Sequence, residues 1–338
     1  MISPEVRPEF GWRGRALLRS DGWRQELSAS EKETLDVFVR QTSDQPPETI
    51  DRSMARFPNL TELASRVSDS LEYGTGAVML PRFVSPAWDT RAAARAFWTL
   101  SLQLGTPVSQ SAEGQRLFDV RDAGFASTDP RFRGPMSSKR LSFHTDRCDV
   151  IAFLCLRPAS KGGETYIVSS VAIRDELRRR HPEALAILNQ PFPYLRHTVD
   201  HGNARQYVEL PVFSECDGFF AAHFLRVLID RADRSDVAPG LTDAQRAALD
   251  TLEAVAEDPE LHVSFSMTAG DVLLLNNWTT FHRRGAFVDG RDSEERRHLL
   301  RIWLATRNSR PLAPCFEAHF GSTVAGAVRG GMRPVGTA

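Results

Sequence analysis

The sequence is poor in lysine and contains no long apolar run. Only 3 of its 42 basic residues are lysine, and an arginine excess of this kind is typical of GC-rich coding rather than of phosphate binding. The net charge of −1 gives the chain no overall field that would favour nucleic acid or a membrane surface. We therefore expect no nucleic-acid partner and no membrane partner.

Cysteine is also scarce, and the four cysteines, at positions 148, 155, 216 and 315, form no Cys-x-x-Cys pair. This argues against a zinc knuckle or a disulfide framework and favours a reducing compartment. The first residues lack the apolar stretch of a leader peptide, and no run approaches membrane-spanning length. The sequence predicts a soluble, cytoplasmic protein.

Helical patterns dominate residues 1–70. Residues 30–33 resemble a capping box, which would start a helix through the amphipathic stretch 34–39. The next predicted elements are, in order, a helix at 60–71, a strand at 76–80 and a helix at 90–104.

Short apolar strands alternate with helices in the rest of the chain. We predict, in order, a strand at 150–156, a turn and strand at 162–168, a helix at 171–189, strands near 206–213, a helix at 241–256, and strands at 272–275 and 297–305. Many short strands with helices before and between them are typical of a β-sandwich or jelly roll with helical decoration. Hydrophobic residues make up 41% of the chain, enough for such a core.

Residues 114–140 are polar and rich in Gly, Pro and Ser, with little periodicity. A long irregular segment of this kind, directly before a candidate site, is often an active-site lid. An ordinary solvated insertion would have the same composition, so the sequence leaves both interpretations open.

The pair His144-x-Asp146 lies just before the predicted strand at 150–156. Residues i and i+2 of a strand point to the same side, so both side chains could reach one metal ion. With the distant His282, they would complete the 2-His-1-carboxylate set that holds Fe(II) and leaves positions open. The pair alone does not decide between metal ligation and an ordinary structural role.

A second pair of the same type, His181-x-Glu183, follows a charged stretch that predicts a surface helix. Residues i and i+2 do not face each other on a helix, so this pair is not expected to bind a metal. His282 stands beside Arg283 and Arg284, a context more typical of a surface residue. Its value is its position between the strand at 272–275 and the strand at 297–305.

The last predicted strand carries two arginines on one face. Strand parity places Arg297 and Arg301 on the same side, although both faces of the strand are largely apolar. A guanidinium group is almost never buried without an anionic partner, because its desolvation is costly. The partner would be either an internal carboxylate or the carboxylate of a small molecule, which suits the bidentate grip of arginine.

Five motifs occur together in the order Phe-His-Thr-Asp at 143–146, Gly-Gly-Glu-Thr at 162–165, Gly-Asp-Val-Leu-Leu-Leu-Asn-Asn at 270–277, Phe-His at 281–282 and Arg-Arg-His-Leu-Leu-Arg at 296–301. On these motifs the chain resembles the taurine dioxygenase and clavaminate synthase-like branch of the Fe(II)/2-oxoglutarate-dependent oxygenases. The resemblance spans roughly residues 75–310.

The resemblance implies a mainly β fold, a double-stranded β-helix or jelly roll of the clavaminate synthase-like type, with N-terminal and inserted helices. It implies one oxygenase domain over 1–338. The expected parts are a helical N-terminal preface at 1–70, a core at 75–310, a lid around 111–140 and a tail at 311–338.

The resemblance also implies that iron is bound by His144, Asp146 and His282. Three protein ligands leave three positions, two for the α-keto acid end of 2-oxoglutarate and one for O₂. Relatives that halogenate have a small residue in place of the carboxylate, so the retained Asp146 weighs against halogenation.

Arg297 would bind the distal carboxylate of 2-oxoglutarate, and Thr165 resembles the hydroxyl that supports this carboxylate in the family. Arg301 matches a position that in relatives often binds an acidic group of the prime substrate, although a structural role for it stays open. Arg140 is a further candidate for substrate binding.

The function expected from the resemblance is hydroxylation of an unactivated C–H bond in a small carboxylate-like or amino-acid-like substrate, with release of succinate and CO₂. Desaturation, epoxidation or cyclisation in natural-product biosynthesis would use the same metal ligands. Two other classes are a non-catalytic scaffold that binds 2-oxoglutarate or a metal, and a cupin-like isomerase or hydrolase that uses another metal.

Overall fold

The structure is a computed structural model, and it describes residues 11–20, 22–124, 134–196, 200, 205–290, 292 and 295–333. The helices of this part are α1 (Ala29–Gln41), α2 (Pro58–Glu72), α3 (Thr90–Leu104), α4 (Ser170–Arg180), α5 (Pro182–Leu188), α6 (Arg226–Asp233), α7 (Asp243–Ala256) and α8 (Glu317–Phe320). Within these residues, no helix is both long enough and apolar enough to cross a membrane.

The strands are β1 (Ala77–Leu80), β2 (Gly105–Val108), β3 (Leu117–Val120), β4 (Val150–Arg157), β5 (Lys161–Gly162), β6 (Thr165–Ser169), β7 (Pro191–Leu195), β8 (Tyr207–Pro211), β9 (Phe213–Cys216), β10 (Phe219–Ala222), β11 (His262–Phe265), β12 (Val272–Asn276), β13 (Thr280–Arg284), β14 (Phe287–Val288) and β15 (His298–Thr306).

The largest sheet has the order β1-β12-β4-β15-β2, and β3 pairs with the other end of β15. All of its pairings are antiparallel. A second sheet, β11-β6-β13, is antiparallel as well. The two-stranded pairs β9-β10, β5-β14 and β7-β8 flank these sheets.

The central strands of the large sheet are buried on both faces. On β15, Leu300 and Ile302 pack outward on the N-terminal helices, whereas Leu299 and Trp303 pack inward. The same alternation runs through β4 and β12, as expected when successive side chains of a strand point to opposite sides. The strand prediction at 297–305 and its assignment as doubly buried are confirmed.

The two sheets enclose an inner core. Ile167 of β6 and Val263 of β11 pack in one cluster with Ile151 of β4 and Leu273 of β12. Two antiparallel sheets that pack face to face around a common interior form the predicted jelly roll. The residues predicted to bind metal and co-substrate line a cleft at this interior.

Helices cover the outside of both sheets. α2 presents apolar side chains at helical spacing, including Leu60, Leu63 and Val67, and they pack with α1 and α3 on the large sheet. Helices α4 to α7 cover the outer face of the small sheet, where Val168 and Phe281 contact them. The inner face is thereby left for the site.

Two helix boundaries differ from the predictions. The capping box of α1 is formed by Ser28 and Glu31, two residues before the predicted Ser30. The predicted helix 171–189 is two helices, because Pro182 begins a new helix and lacks the N–H that would continue the first one. His181 is the residue between them, and the cluster of potential metal ligands found among the described residues does not include it.

The predicted lid around 111–140 falls partly outside the described residues, since 125–133 are not described. Its first part is more regular than expected, because β3 pairs with Leu299–Ile302 of β15. Of the helical preface, residues 1–10 lie outside the described residues. The tail is described to residue 333 and packs on the core, where Arg329 donates a hydrogen bond to buried Asp149 at 2.7 Å.

Candidate metal centre

His144 and His282 are brought together by a short antiparallel bridge between two segments of the chain. The N–H of each residue donates to the carbonyl of the other, both at 3.0 Å. His282 lies on β13, whereas His144 lies in the loop before β4, so only this bridge gives it strand geometry. The pair His144-x-Asp146 is therefore held at the interior without being part of a long strand.

His144, Asp146 and His282 form one cluster of potential metal ligands. One ligand atom from each residue lies within 4.8 Å of the others. His282 Nε2 is 3.6 Å from Asp146 Oδ2, and the imidazole centroids of His144 and His282 are 4.4 Å apart. His282 is 136 positions beyond Asp146 in the sequence, and the fold brings its side chain next to those of His144 and Asp146.

Both imidazoles are set up to offer a lone pair. His144 Nδ1 lies 2.8 Å from the carbonyl oxygen of Ser142, an interaction that places the proton on Nδ1 and leaves Nε2 as a ligand atom. Burial, together with the proximity of His144, lowers the pKa of His282 to about 3. His282 is thus neutral at physiological pH, which is the form that binds metals.

Two buried side chains that are not part of the cluster hold its loop. Thr145 accepts a hydrogen bond from Phe224 N–H at 3.0 Å through Oγ1, and its own N–H donates to Phe224 O at 2.7 Å. Asn277 accepts from Asp146 N–H at 3.1 Å and donates to Cys148 Sγ at 2.9 Å. Sequence reasoning missed both roles, because each depends on a contact with a distant segment.

A cleft of about 490 Å³ opens beside this cluster. His144, His282, Thr165, Arg297 and Arg301 all line it, so the structure brings together most of the predicted site residues. Its apolar wall is formed by residues that include Val120, Leu141, Phe153, Met267 and Leu299.

Arg297 has the environment expected of an anion-binding residue. Its side chain is 5% exposed, and its Nη1 atom is buried with no hydrogen-bond partner in the described part of the chain. Burial lowers the pKa of Arg297, yet a guanidinium stays charged near neutral pH. Thr165 begins β6 and lines the same cleft. An anion in the cleft would satisfy the unpaired Nη1.

Arg301 is 3% exposed and is tied to the metal cluster. Its Nη1 is 3.6 Å from Asp146 Oδ2, and its Nε donates to Gln110 Oε1 at 2.7 Å. The guanidinium stacks on the ring of Trp303, with a carbon-to-centroid distance of 5.0 Å. Nη2 of Arg301 is buried without a partner among the described residues. This nitrogen could therefore donate a hydrogen bond to a bound molecule.

Arg140 is not brought to the cleft. Its guanidinium is exposed and donates to Glu257 Oε1 at 2.5 Å. Glu257 also accepts from Arg283 at 2.8 Å. Arg283 and Arg284 are both 6% exposed and line the cleft, although two arginines beside a histidine are more typical of a surface. The i, i+2 relation of His282 and Arg284 on one strand was the available signal for this.

The residues present fit an iron site. Two imidazoles and one carboxylate on one side of an open cleft are the ligand set of non-heme Fe(II) oxygenases. The supporting hydrogen bonds to Ser142 and Asn277 are of the kind that orient metal ligands. The unpaired donors of Arg297 and Arg301 beside the cluster fit an anionic co-substrate and an anionic substrate group.

Comparison with known proteins gives concordant results. Residues 43–303 match the family model of the taurine catabolism dioxygenase TauD, TfdA family. FR-33289 synthase of Streptomyces rubellomurinus is 29% identical over 281 residues, which is 80% of each chain. A uridine-5'-phosphate dioxygenase from a Streptomyces species is 31% identical over 148 residues, covering 44% of this chain and 52% of the relative.

Solved structures confirm the fold. An asparagine oxygenase superposes with a TM-score of 0.63 at 18% identity, over 91% of this chain and all of the other. A non-heme iron oxygenase, OrfP, in complex with Fe and alpha-ketoglutaric acid, superposes with a TM-score of 0.58 at 17% identity, over 83% and 93% of the two chains. The double-stranded β-helix with helical decoration is therefore confirmed. The chain belongs to the taurine catabolism dioxygenase TauD, TfdA family, and it is an oxygenase that depends on Fe(II) and 2-oxoglutarate.

Proposed function

We propose that this enzyme hydroxylates a C–H bond of a small substrate with an acidic or amino-acid-like group, and that His144, Asp146 and His282 hold its iron. The observation that carries the proposal is the cluster of these three residues at the wall of an arginine-lined cleft. Bound iron and 2-oxoglutarate supply the oxidising chemistry. One atom of O₂ enters the product hydroxyl and the other enters succinate, with release of CO₂.

The chain's own residues position the two small molecules. We assign Arg297 and Thr165 to the distal carboxylate of 2-oxoglutarate, because the buried Nη1 of Arg297 needs an acceptor. A carboxylate accepts two parallel hydrogen bonds from one guanidinium, which fixes its orientation as well as its position. The α-keto acid end of a molecule held in this way would face the metal cluster.

Arg301 is assigned to the acidic group of the prime substrate. Gln110 holds its Nε, and stacking on Trp303 fixes its plane, so the free Nη2 has a defined direction. The apolar side chains of Phe153, Leu299 and their neighbours exclude water from the same space. Exclusion of water protects a reactive oxidant from side reactions.

The names of related proteins support a small polar substrate. One superposed structure is an asparagine oxygenase in complex with Fe(II), 3-hydroxyasparagine and succinate. Another holds a hydroxylated arginine, and curated relatives include a gamma-butyrobetaine dioxygenase of Homo sapiens. These molecules share a carboxylate or another acidic group with our proposed substrate class.

The test is a turnover screen with Fe(II), ascorbate, 2-oxoglutarate and a panel of amino acids and small carboxylic acids. Isotope-labelled O₂ should give one labelled oxygen in the product and one in succinate, measured by mass spectrometry. Replacement of Asp146 by alanine should reduce turnover by more than about 100-fold, because even the groups that support metal ligands contribute about 10- to 100-fold.

His181→Ala is the matched control. It removes the histidine of the other His-x-acid pair, and this histidine lies between α4 and α5. Its turnover should equal that of the wild type. Equal turnover of the Asp146→Ala variant would refute the ligand assignment. Label in succinate without label in any product would refute hydroxylation of that substrate panel.

A further inference from the structure

Arg284 lies at the end of the cleft that we assign to 2-oxoglutarate. It is two residues beyond His282 on β13, so both side chains point to the inner side of the strand. In the antiparallel pairing of β13 with β6, Arg284 is directly opposite Thr165. Arg284 is 6% exposed and lines the cleft. Neither the motifs nor the resemblance gave it a role.

Arg284 and Arg297 converge on one aromatic ring. The guanidinium carbon of Arg284 is 4.7 Å from the ring centroid of Phe287, and that of Arg297 is 5.3 Å from the same centroid. Phe287 is buried. Both guanidinium groups therefore contact the same ring, and both residues line the cleft together with Thr165.

No carboxylate of the described residues accepts a hydrogen bond from Arg284. Its Nη2 donates to Lys139 O at 2.5 Å, and its Nε donates to Gly285 O at 3.3 Å. These bonds use main-chain oxygens, and no ion pair of Arg284 is formed with the described residues. Asp122 and Asp289 act on Arg284 only through space, and Asp289 Oδ1 already accepts from Arg297 N–H at 2.8 Å.

Arg284 and Arg297 are both buried and both line the cleft. A guanidinium group stays charged near neutral pH. Two buried like charges are costly unless an anion lies between them, because desolvation and repulsion act in the same direction.

We propose that Arg284 and Arg297 together bind the distal carboxylate of 2-oxoglutarate, with Thr165 as a third donor. The inference rests on the proposed function and adds a second cation to its co-substrate site. A carboxylate has about four acceptor positions, so it has room for two guanidinium groups and one hydroxyl. The bound carboxylate would offset the positive charge of the two guanidinium groups.

Arg310 provides a matched control. It has the same side-chain type and a similar exposure, 5% against 6% for Arg284. Its charge is paired, because Nε donates to Glu72 Oε1 at 3.0 Å, and it is not among the described residues that line the cleft. Loss of Arg310 therefore removes a buried ion pair outside the co-substrate site.

The experiment measures binding of 2-oxoglutarate to Fe(II)-loaded protein by calorimetry in the absence of O₂. Arg284→Gln should raise the Kd about 10- to 100-fold, as expected for the loss of a hydrogen bond to a charged group. Arg284→Lys keeps the charge and should recover part of the affinity. Arg310→Gln should leave the Kd within about twofold, which is less than one weak hydrogen bond contributes.

Pyruvate separates binding of the distal carboxylate from general damage, because it is an α-keto acid without that carboxylate. The Kd for pyruvate should be the same in the wild type and in Arg284→Gln. An equal loss for both ligands would overturn the inference, and so would an unchanged Kd for 2-oxoglutarate in Arg284→Gln while Arg297→Gln loses affinity. If neither variant changed this Kd, the co-substrate site of the proposed function would itself be wrong.

Discussion

Replacement of Asn277 by alanine is expected to weaken metal binding although Asn277 touches no metal ligand atom. Its side-chain oxygen accepts from Asp146 N–H at 3.1 Å, and its amide donates to Cys148 Sγ at 2.9 Å. Its own N–H donates to Asp149 O at 2.9 Å. Asn277 thus holds the loop of Asp146 to the segment that leads into His282.

The size of the effect follows from what the substitution leaves behind. Alanine removes the acceptor of the Asp146 N–H, and a buried donor without a partner costs about 1–3 kcal/mol. Unless the loop shifts, the folded state carries this cost, and a shifted loop misplaces the Asp146 carboxylate. We expect a loss of about 10- to 100-fold in Fe(II) affinity, the range found when groups that orient metal ligands are removed.

Asn276 supplies the control for this prediction. It is the preceding residue and has the same 1% exposure. Its amide donates to Leu71 O and to Glu72 Oε2, both at 3.0 Å, so it holds α2 rather than the metal loop. Asn276→Ala should lower the free energy of unfolding by a similar amount and leave the Fe(II) affinity unchanged.

The assay has two parts. Competition with a chelator gives the Fe(II) affinity, and urea unfolding of the metal-free protein gives its stability. We expect Asn277→Ala and Asn276→Ala to match in their free energy of unfolding and to differ in their Fe(II) affinity. Equal metal affinity in Asn277→Ala and Asn276→Ala would refute this expectation, because the loss would then come from general destabilisation.

Two further predictions concern Thr145, which lies in the same loop, and His223, whose Nδ1 is 3.2 Å from Thr145 Oγ1. Thr145→Val removes the acceptor of Phe224 N–H and should lower the Fe(II) affinity about tenfold. Thr145→Ser keeps the hydroxyl and should restore this affinity. A valine variant with wild-type Fe(II) affinity in the chelator assay would contradict the prediction. Burial lowers the pKa of His223 to about 3, below the value of about 6.5 in the unfolded chain. Between these two pH values the unfolded chain binds more protons than the folded one. The free energy of unfolding therefore falls as the pH falls below 6.5. Each such histidine contributes about 1.4 kcal/mol per pH unit, and urea unfolding of metal-free His223→Gln should show a shallower pH dependence; an unchanged slope would count against it.

Strand parity was sufficient to predict the geometry of the anion-binding strand. Arg297 and Arg301 both line the cleft, even though a bulge shifts the register with β4 between His298 and Leu299. The periodicity of two is a local property of the chain, so it survives such irregularities. The order of the motifs along the chain predicted that His144, Asp146 and His282 form one cluster, and these residues do lie together.

The helix start of α1 could not be settled from the sequence. Ser28 with Glu31 and Ser30 with Glu33 both have the Ser-x-x-Glu spacing of a capping box. The structure uses the first pair, and Glu31 is buried with an ion pair to Arg66. That ion pair joins residues far apart in the chain, and local patterns carry no information on it.

The position of Arg140 depends on a long-range contact as well. Its partner Glu257 is 117 residues away at the end of α7. Arg284 is buried where β13 pairs with β6, although two arginines beside a histidine are more typical of a surface. Charged residues are the hardest to place from sequence, because their burial depends on partners that the fold supplies.

The iron ligands are tested most directly by an anomalous difference map from a crystal of the protein loaded with Fe(II) without O₂. We expect an iron peak at ligand distance from the imidazoles of His144 and His282 and from the carboxylate of Asp146, with the cleft of Arg297 beside it. An iron peak away from these three side chains, or no iron peak in a fully loaded crystal, would contradict the assignment of these residues as the iron ligands.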